Sequence, residues 1–241
     1  MNRTNGTGRT VVTRAAWPHV RVIVVTVALA AAGLSVACSP AGPATGGSRD
    51  LGPVEVREYR GEKLGAIADF RENSIKGPQK VDRATYRLVV DGAVAKPAEY
   101  SYADVLSRET TYTKVVELNC VEGWSVKALW EGVLISDLVD RAGPAPDAGT
   151  VIFHAADGYS TSLPLSYVRS RKLLLAYRLN GVELPPERGF PFQVVAEDKW
   201  GYKWCKWVSR IELSTDSAFR GYWESRGYSS KGDLSGPSIG P

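Results

Sequence analysis

Cys120 closes an apolar, β-type run at 115–119 and opens the glycine-containing turn Cys-Val-Glu-Gly-Trp124. A thiol at a strand end can be reached by a ligand, and its thiolate is both a nucleophile and a soft metal donor. Little else in the chain could build a metal site. Of its two histidines, His19 lies in the N-terminal leader. A His-rich zinc, copper or haem centre is thereby excluded, and any metal must lean on one sulfur and on ligands brought from outside the protein. His154 sits in a strand-like run and reads as a satisfied polar residue. A Ser-His-Asp triad would need it, and no Gly-x-Ser-x-Gly elbow supplies the serine. The cysteines leave two readings open. In an exported domain Cys120 and Cys205 would by default form a disulfide. Alternatively Cys120 stays free as a metal ligand and Cys205 is a small buried hydrophobe.

Two further runs could serve a ligand. Lys199-Trp-Gly-Tyr-Lys-Trp-Cys-Lys-Trp207 interleaves aromatic rings with lysines beside a glycine turn. Ammonium groups and free backbone N–H groups suit a phosphate, and aromatic faces cover a flat ring; a half-buried edge strand with solvated lysines would show the same pattern. Arg220-Gly-Tyr-Trp-Glu-Ser-Arg-Gly-Tyr228 reads either as a packed aromatic loop or as a substrate-side wall with a phenol as proton donor.

The elements that must position these residues follow a leader. Residues 1–38 begin with four arginines and no acid, continue as an uncharged apolar run from Val22, and end in Ser35-Val-Ala-Cys38. This resembles a bacterial lipoprotein processing site with Cys38 as the acylated residue; plain cleavage and an uncleaved anchor are the alternatives. Without the leader, 26 basic residues balance 26 acidic ones, so the charge does not argue for nucleic acid. Residues 39–53 read as a flexible linker, 54–234 as one domain, and 235–241 as a disordered tail.

Within the domain, strands are predicted at 86–91, 115–119, 151–154, 173–179, 192–196 and 205–213. A short helix capped by Ser101 runs to Leu106, one with Leu134, Leu138 and Val139 on a face stops at Gly143-Pro144, and a third spans 165–170. Asp157-Gly158 and Asn180-Gly181 mark turns. Strands interleaved with short helices predict an α+β fold of mixed sheets, and no glycine-rich dinucleotide or phosphate loop of the usual patterns is present.

Four runs occur in order: Asn119-Cys-Val-Glu-Gly-Trp124, 180–191, 199–207 and Trp223-Glu-Ser-Arg-Gly-Tyr228. Together they resemble the molybdopterin domain of the sulfite oxidase family, and most closely its small bacterial members related to the catalytic subunit of periplasmic methionine sulfoxide reductase. The resemblance covers roughly 61–234. It implies a sulfite-oxidase-type α+β domain holding a molybdenum-molybdopterin cofactor, with Cys120 as the metal's sulfur ligand and Tyr228 facing the reacting group. It further implies cofactor contacts from Phe70, Asn73 and Ser74, from Ala155 and Arg188, and from Lys203, Trp204, Cys205 and Lys206. The reaction implied is two-electron oxygen-atom transfer.

Two departures bear on substrate. Sulfite oxidases place an arginine a few residues after the cysteine, where this chain has Trp124-Ser125-Val126; Gln193 stands where an arginine is common. Losing two cationic partners disfavours a doubly charged anion, so a sulfoxide-type substrate is expected over sulfite. The resemblance includes no haem domain and no C-terminal immunoglobulin-like domain, so a separate electron-transfer partner and a monomer are expected. The expected location is the extracytoplasmic side of the cell membrane, through the lipid on Cys38. None of the leader arginines are adjacent, as a twin-arginine export signal would require. The rival reading is a lipid-anchored binding module, stapled by a Cys120–Cys205 disulfide and without redox activity.

Overall fold

The two longest strands flank Cys120. In β6 (Ser125–Leu134) the alternation Val126, Ala128, Trp130 points inward while Ser125, Lys127 and Glu131 point out, the period-2 pattern of a half-buried strand. Its neighbour β5 (Thr111–Asn119) pairs with it in continuous antiparallel register from Thr111↔Val133 to Asn119↔Ser125.

The computed structural model describes residues 54–240. The leader, Cys38 and the linker lie outside those residues. In chain order the strands and helices are β1 (Glu58–Tyr59), β2 (Glu62–Lys63), β3 (Arg87–Gly92), β4 (Ala98–Ser101), α1 (Tyr102–Arg108), β5 (Thr111–Asn119), β6 (Ser125–Leu134), α2 (Ile135–Ala142), β7 (Thr150–Ala155), β8 (Ser160–Pro164), α3 (Leu165–Ser170), β9 (Leu174–Leu179), β10 (Val182–Glu183), β11 (Gln193–Val195) and β12 (Val208–Ser214). Two five-stranded sheets result: β10-β9-β6-β5 with β11 also on β9, and β4-β3-β12-β7-β8. The second sheet is mixed, with β12 parallel to β3 and antiparallel to β7. This is the mixed-sheet, short-helix α+β fold expected.

Inward residues from both sheets join one buried cluster, among them Val90, Trp130, Phe153, Leu175 and Ile211. Trp130 is fully buried, and truncating such a residue to alanine costs about 3–5 kcal/mol. Where β6 meets β9, the register shifts between Glu131 and Gly132. A Cβ on Gly132 would lie 2.3 Å from Leu175 O, so only glycine allows that approach.

The helices begin and end for local reasons. In α1, Ser101 Oγ accepts from Asp104 N–H at 3.1 Å while Ser101 N–H donates to Asp104 Oδ2 at 3.0 Å, a reciprocal capping box. Gly143, at φ 67°, ends α2 in the left-handed conformation.

Three expectations need correction. Cys120 and Cys205 are both free, so no disulfide staples the domain. Residues 235–240 of the expected disordered tail are tied down: Ser229 N–H donates to Ser238 O and Gly240 N–H to Gly227 O, each at 3.0 Å; Pro241 lies outside the described residues. A polar segment stays ordered here because the 227–229 loop offers it backbone partners. The strand predicted at 205–213 begins only at Val208, because Gly201–Lys203 is a 3-10 turn and Trp204 and Cys205 follow it irregularly. No helix among the described residues is long and apolar enough to cross a membrane.

Candidate active site

The turn between β5 and β6 sets Cys120 in the wall of a cleft of about 750 Å³, open solvent at its mouth included. The turn is self-closed. Cys120 N–H donates to Trp124 O at 2.9 Å and Gly123 N–H to Cys120 O at 3.1 Å, with Gly123 at φ 82°. Two long paired strands therefore fix the sulfur, and little entropy remains to be lost when a ligand meets it. Burial pushes the Cys120 thiol up, against N–H donors from the Glu122 backbone, Asn73 and the Val121 backbone. Asn73 Nδ2 donates to Sγ at 3.5 Å. These donors already suit a thiolate, so a cation placed against the sulfur would reverse the balance.

Across the cleft, Lys206 Nζ donates to Glu72 Oε2 at 2.6 Å and lies 4.4 Å from the Trp207 ring centre. Burial pushes its ammonium pKa down, with the Glu72 carboxylate opposing. Arg188 is buried beside it, donating to Arg71 O at 3.1 Å and Glu72 Oε2 at 3.4 Å. The approach of Arg188's turn to Lys206 depends on Gly189, at φ 96°, where a Cβ would lie 3.0 Å from Lys206 Cβ. Burial works to raise the Glu72 carboxyl, and hydrogen bonds from Lys206 and Ser74 outweigh it, so Glu72 is held below the ordinary carboxylate value.

The third side is aromatic. Tyr228 packs edge-on to Tyr202, ring centres 5.1 Å apart, and against Trp223 at 5.2 Å. Trp204 forms part of the wall and packs at a tilt against Trp130, ring centres 5.5 Å apart, its indole N–H donating to Lys199 O at 3.0 Å.

Of the sequence-predicted residues, the structure therefore gathers Asn73, Ser74, Cys120, Trp204, Lys206 and Tyr228 around one cleft. Others do not line it. Lys203 is fully buried, its Nζ donating to Glu224 Oε1 at 2.6 Å and Ser230 O at 3.0 Å. Cys205 has no exposed surface, and burial pushes its thiol well up; it packs as a small hydrophobe. Phe70 is buried edge-on against Trp130 and Trp124, with the Arg188 guanidinium 5.4 Å from its ring centre. Ala155 is buried at the end of β7, its N–H donating to Tyr159 O at 2.9 Å. His154 pairs with Glu212 at 2.8 Å, away from the cleft. Sequence reasoning missed Glu122, Asp157 and Tyr159 as lining residues. The signals available were two turns, Cys120–Trp124 for Glu122 and Asp157-Gly158 for the other two, and a turn does not show what its side chains face.

The described residues contain no group of three or more His, Cys, Asp or Glu side chains that could hold a metal ion. A metal in this cleft would therefore have to take most of its ligands from a cofactor, and Cys120 is the sulfur in the cleft wall that could meet it. The donor set fits a metal on a flat, anionic organic group: one soft sulfur, an amide and a hydroxyl at Asn73 and Ser74, aromatic faces, and the Lys206–Arg188 cations.

Comparison with known proteins agrees. The family described as "Oxidoreductase molybdopterin binding domain" matches residues 75–223. The chain belongs to this family. It is accordingly a molybdopterin-binding oxidoreductase of the sulfite oxidase type. The matched span includes Cys120 and Lys206, whereas Asn73, Ser74 and Tyr228 lie just outside it. The chain is 36% identical over 157 residues to the oxidoreductase YuiH of Bacillus subtilis (strain 168), described as uncharacterized; the match covers 65% of this chain and 78% of that one. It is 28% identical over 148 residues to the protein-methionine-sulfoxide reductase catalytic subunit MsrP of Pseudomonas syringae pv. tomato, covering 54% of this chain and 44% of that protein. The fold is similar to the sulfane dehydrogenase SoxCD of Paracoccus pantotrophus, with a TM-score of 0.58, 26% identity, and coverage of 64% of this chain and 43% of that one. The chain thus spans under half the length of these last two proteins.

Proposed function

We propose that this molybdopterin oxidoreductase removes oxygen from sulfoxide-type substrates on the extracytoplasmic side of the membrane, tethered there through lipidated Cys38 and supplied with electrons by a separate redox partner. The observation that carries the reading is the cleft's composition. Cys120 faces a wall of tyrosines and tryptophans, Lys206 is the sole cation among the described residues that line the cleft, and Glu122 and Asp157 add two carboxylates. A doubly charged oxyanion would meet more repulsion than attraction, while a neutral sulfoxide with an apolar thioether skeleton suits the aromatic wall. The similarity to the methionine sulfoxide reductase subunit points the same way.

The bound cofactor supplies the two-electron oxygen-atom transfer, and the protein supplies position and protons. Cys120 would ligate the metal, with Asn73 and the turn N–H groups holding its sulfur as thiolate. Lys206 and Arg188 would hold the pterin's phosphate once Glu72 swings aside. Tyr202 and Trp223 would keep the Tyr228 phenol at the reacting oxygen, where it delivers a proton. In the net reaction the sulfoxide oxygen leaves as water, with two electrons from the partner and two protons.

The test is protein made in a molybdenum-replete host, with cofactor extraction followed by assay with an artificial electron carrier. Molybdenum and pterin should co-purify, methionine sulfoxide should be reduced, and sulfite should not be oxidised. Sulfite turnover exceeding sulfoxide turnover would overturn the substrate reading. Two cysteines joined in the isolated protein, with no pterin, would favour the binding-module alternative.

A further inference from the structure

We propose that the buried pair Lys203–Glu224 is a clamp that positions Tyr228, locking the aromatic wall of the cleft to its floor. The proposal rests on the reading in which Tyr228 acts at the reacting oxygen. Lys203 ends the 3-10 turn Gly201–Lys203, whose Gly201 and Tyr202 face the cleft. Glu224 begins the 3-10 turn Glu224–Arg226, with Trp223 just before it and Tyr228 just after. Both side chains have no exposed surface and meet at 2.6 Å.

Around the pair, further contacts draw the 201–203 turn and the 229–232 chain together and tie Glu224 to β8. Lys203 Nζ also donates to Ser230 O at 3.0 Å, two residues past Tyr228. Thr161 Oγ1 donates to Glu224 Oε1 at 2.5 Å. Tyr202 Oη donates to Ser229 O at 2.9 Å. Gly232, at φ 62°, lets the chain lie on the lysine stem, where a Cβ would stand 2.6 Å from Lys203 Cγ. Glu224 Oε2 is buried without a hydrogen-bond partner. A buried ion pair with an unsatisfied oxygen is a poor source of stability compared with an apolar pair of the same volume. Its use is geometric: it fixes one arrangement of two short irregular segments, one of which β8 holds at a single edge through Tyr222 N–H to Ser160 O and Thr161 to Glu224. Lys203 is a positioning residue, not a catalytic one.

The test compares Tyr228→Phe, the paired replacement Lys203→Met/Glu224→Gln, and the three changes combined. The paired replacement leaves no lone buried charge, so the chain should fold and keep its cofactor. We expect kcat to fall roughly ten- to a hundredfold with KM little changed, and no further loss when the paired replacement is added to Tyr228→Phe. In the cofactor-free protein, trypsin should cut faster after the exposed Arg226. Equal losses with and without Tyr228, or unchanged trypsin cutting, would overturn the clamp. Full turnover by Tyr228→Phe alone would overturn the role of Tyr228 instead, and the clamp's catalytic consequence with it.

Discussion

Lys203 and Lys206 stand three residues apart in one aromatic run, and the fold uses them in opposite ways. Lys203 is wholly buried against a wholly buried carboxylate. Lys206 sits at the cleft against Glu72, a residue on an exposed loop. Residue type and local sequence are shared, and the partner makes the difference. A carboxylate fixed inside the core makes its lysine a structural tie, while a carboxylate on a loop can leave, and its lysine can then take a phosphate.

The largest effect expected from this contrast comes from Lys203→Met alone. It strands Glu224 as a buried charge and should cost about 3–5 kcal/mol of stability, read by denaturant unfolding; a loss under about 1 kcal/mol would erase the contrast. Lys206→Ala opens a part-buried pair at the cleft and should cost less stability than Lys203→Met, about 1–2 kcal/mol, yet weaken cofactor retention roughly ten- to a hundredfold, measured by pterin release during dialysis. Smallest is Glu72→Gln. By freeing Lys206 and Arg188 it should tighten cofactor retention by roughly two- to fivefold. Because Glu72 titrates below its ordinary value of 4.5 in the folded chain, it contributes stability above that pH and loses it as pH falls through the lowered value. An acid titration should therefore show a shallower loss of stability in the glutamine variant, and identical acid profiles would remove Glu72 from the account.

The same contrast marks what the sequence could reveal. Cys120 was legible because a β-type run meets a glycine turn there, and backbone preference alone places such a residue at a strand end. The mixed α+β character followed from apolar periodicity, and the Ser101–Asp104 cap from two polar residues at the right spacing. β6 was not legible, because Lys127, Ala128 and Gly132 are poor strand formers that pairing with β5 and β9 overrides. Lys203 was expected at the cofactor because an alternating Trp/Lys run does not say which lysine turns inward. That depends on Glu224, twenty-one residues later, which only the tertiary fold brings to it. Asp157 and Tyr159 were hidden for the same reason: a turn signal locates a bend and not what it faces.

The central claim is that the Cys120 sulfur is the protein's bond to molybdenum, and X-ray absorption at the molybdenum edge of wild type and Cys120→Ser tests it most directly. The account predicts that the variant's metal loses one sulfur neighbour and gains an oxygen, or that the metal is lost while the domain stays folded. A metal bound in both proteins with the same sulfur shell would contradict it.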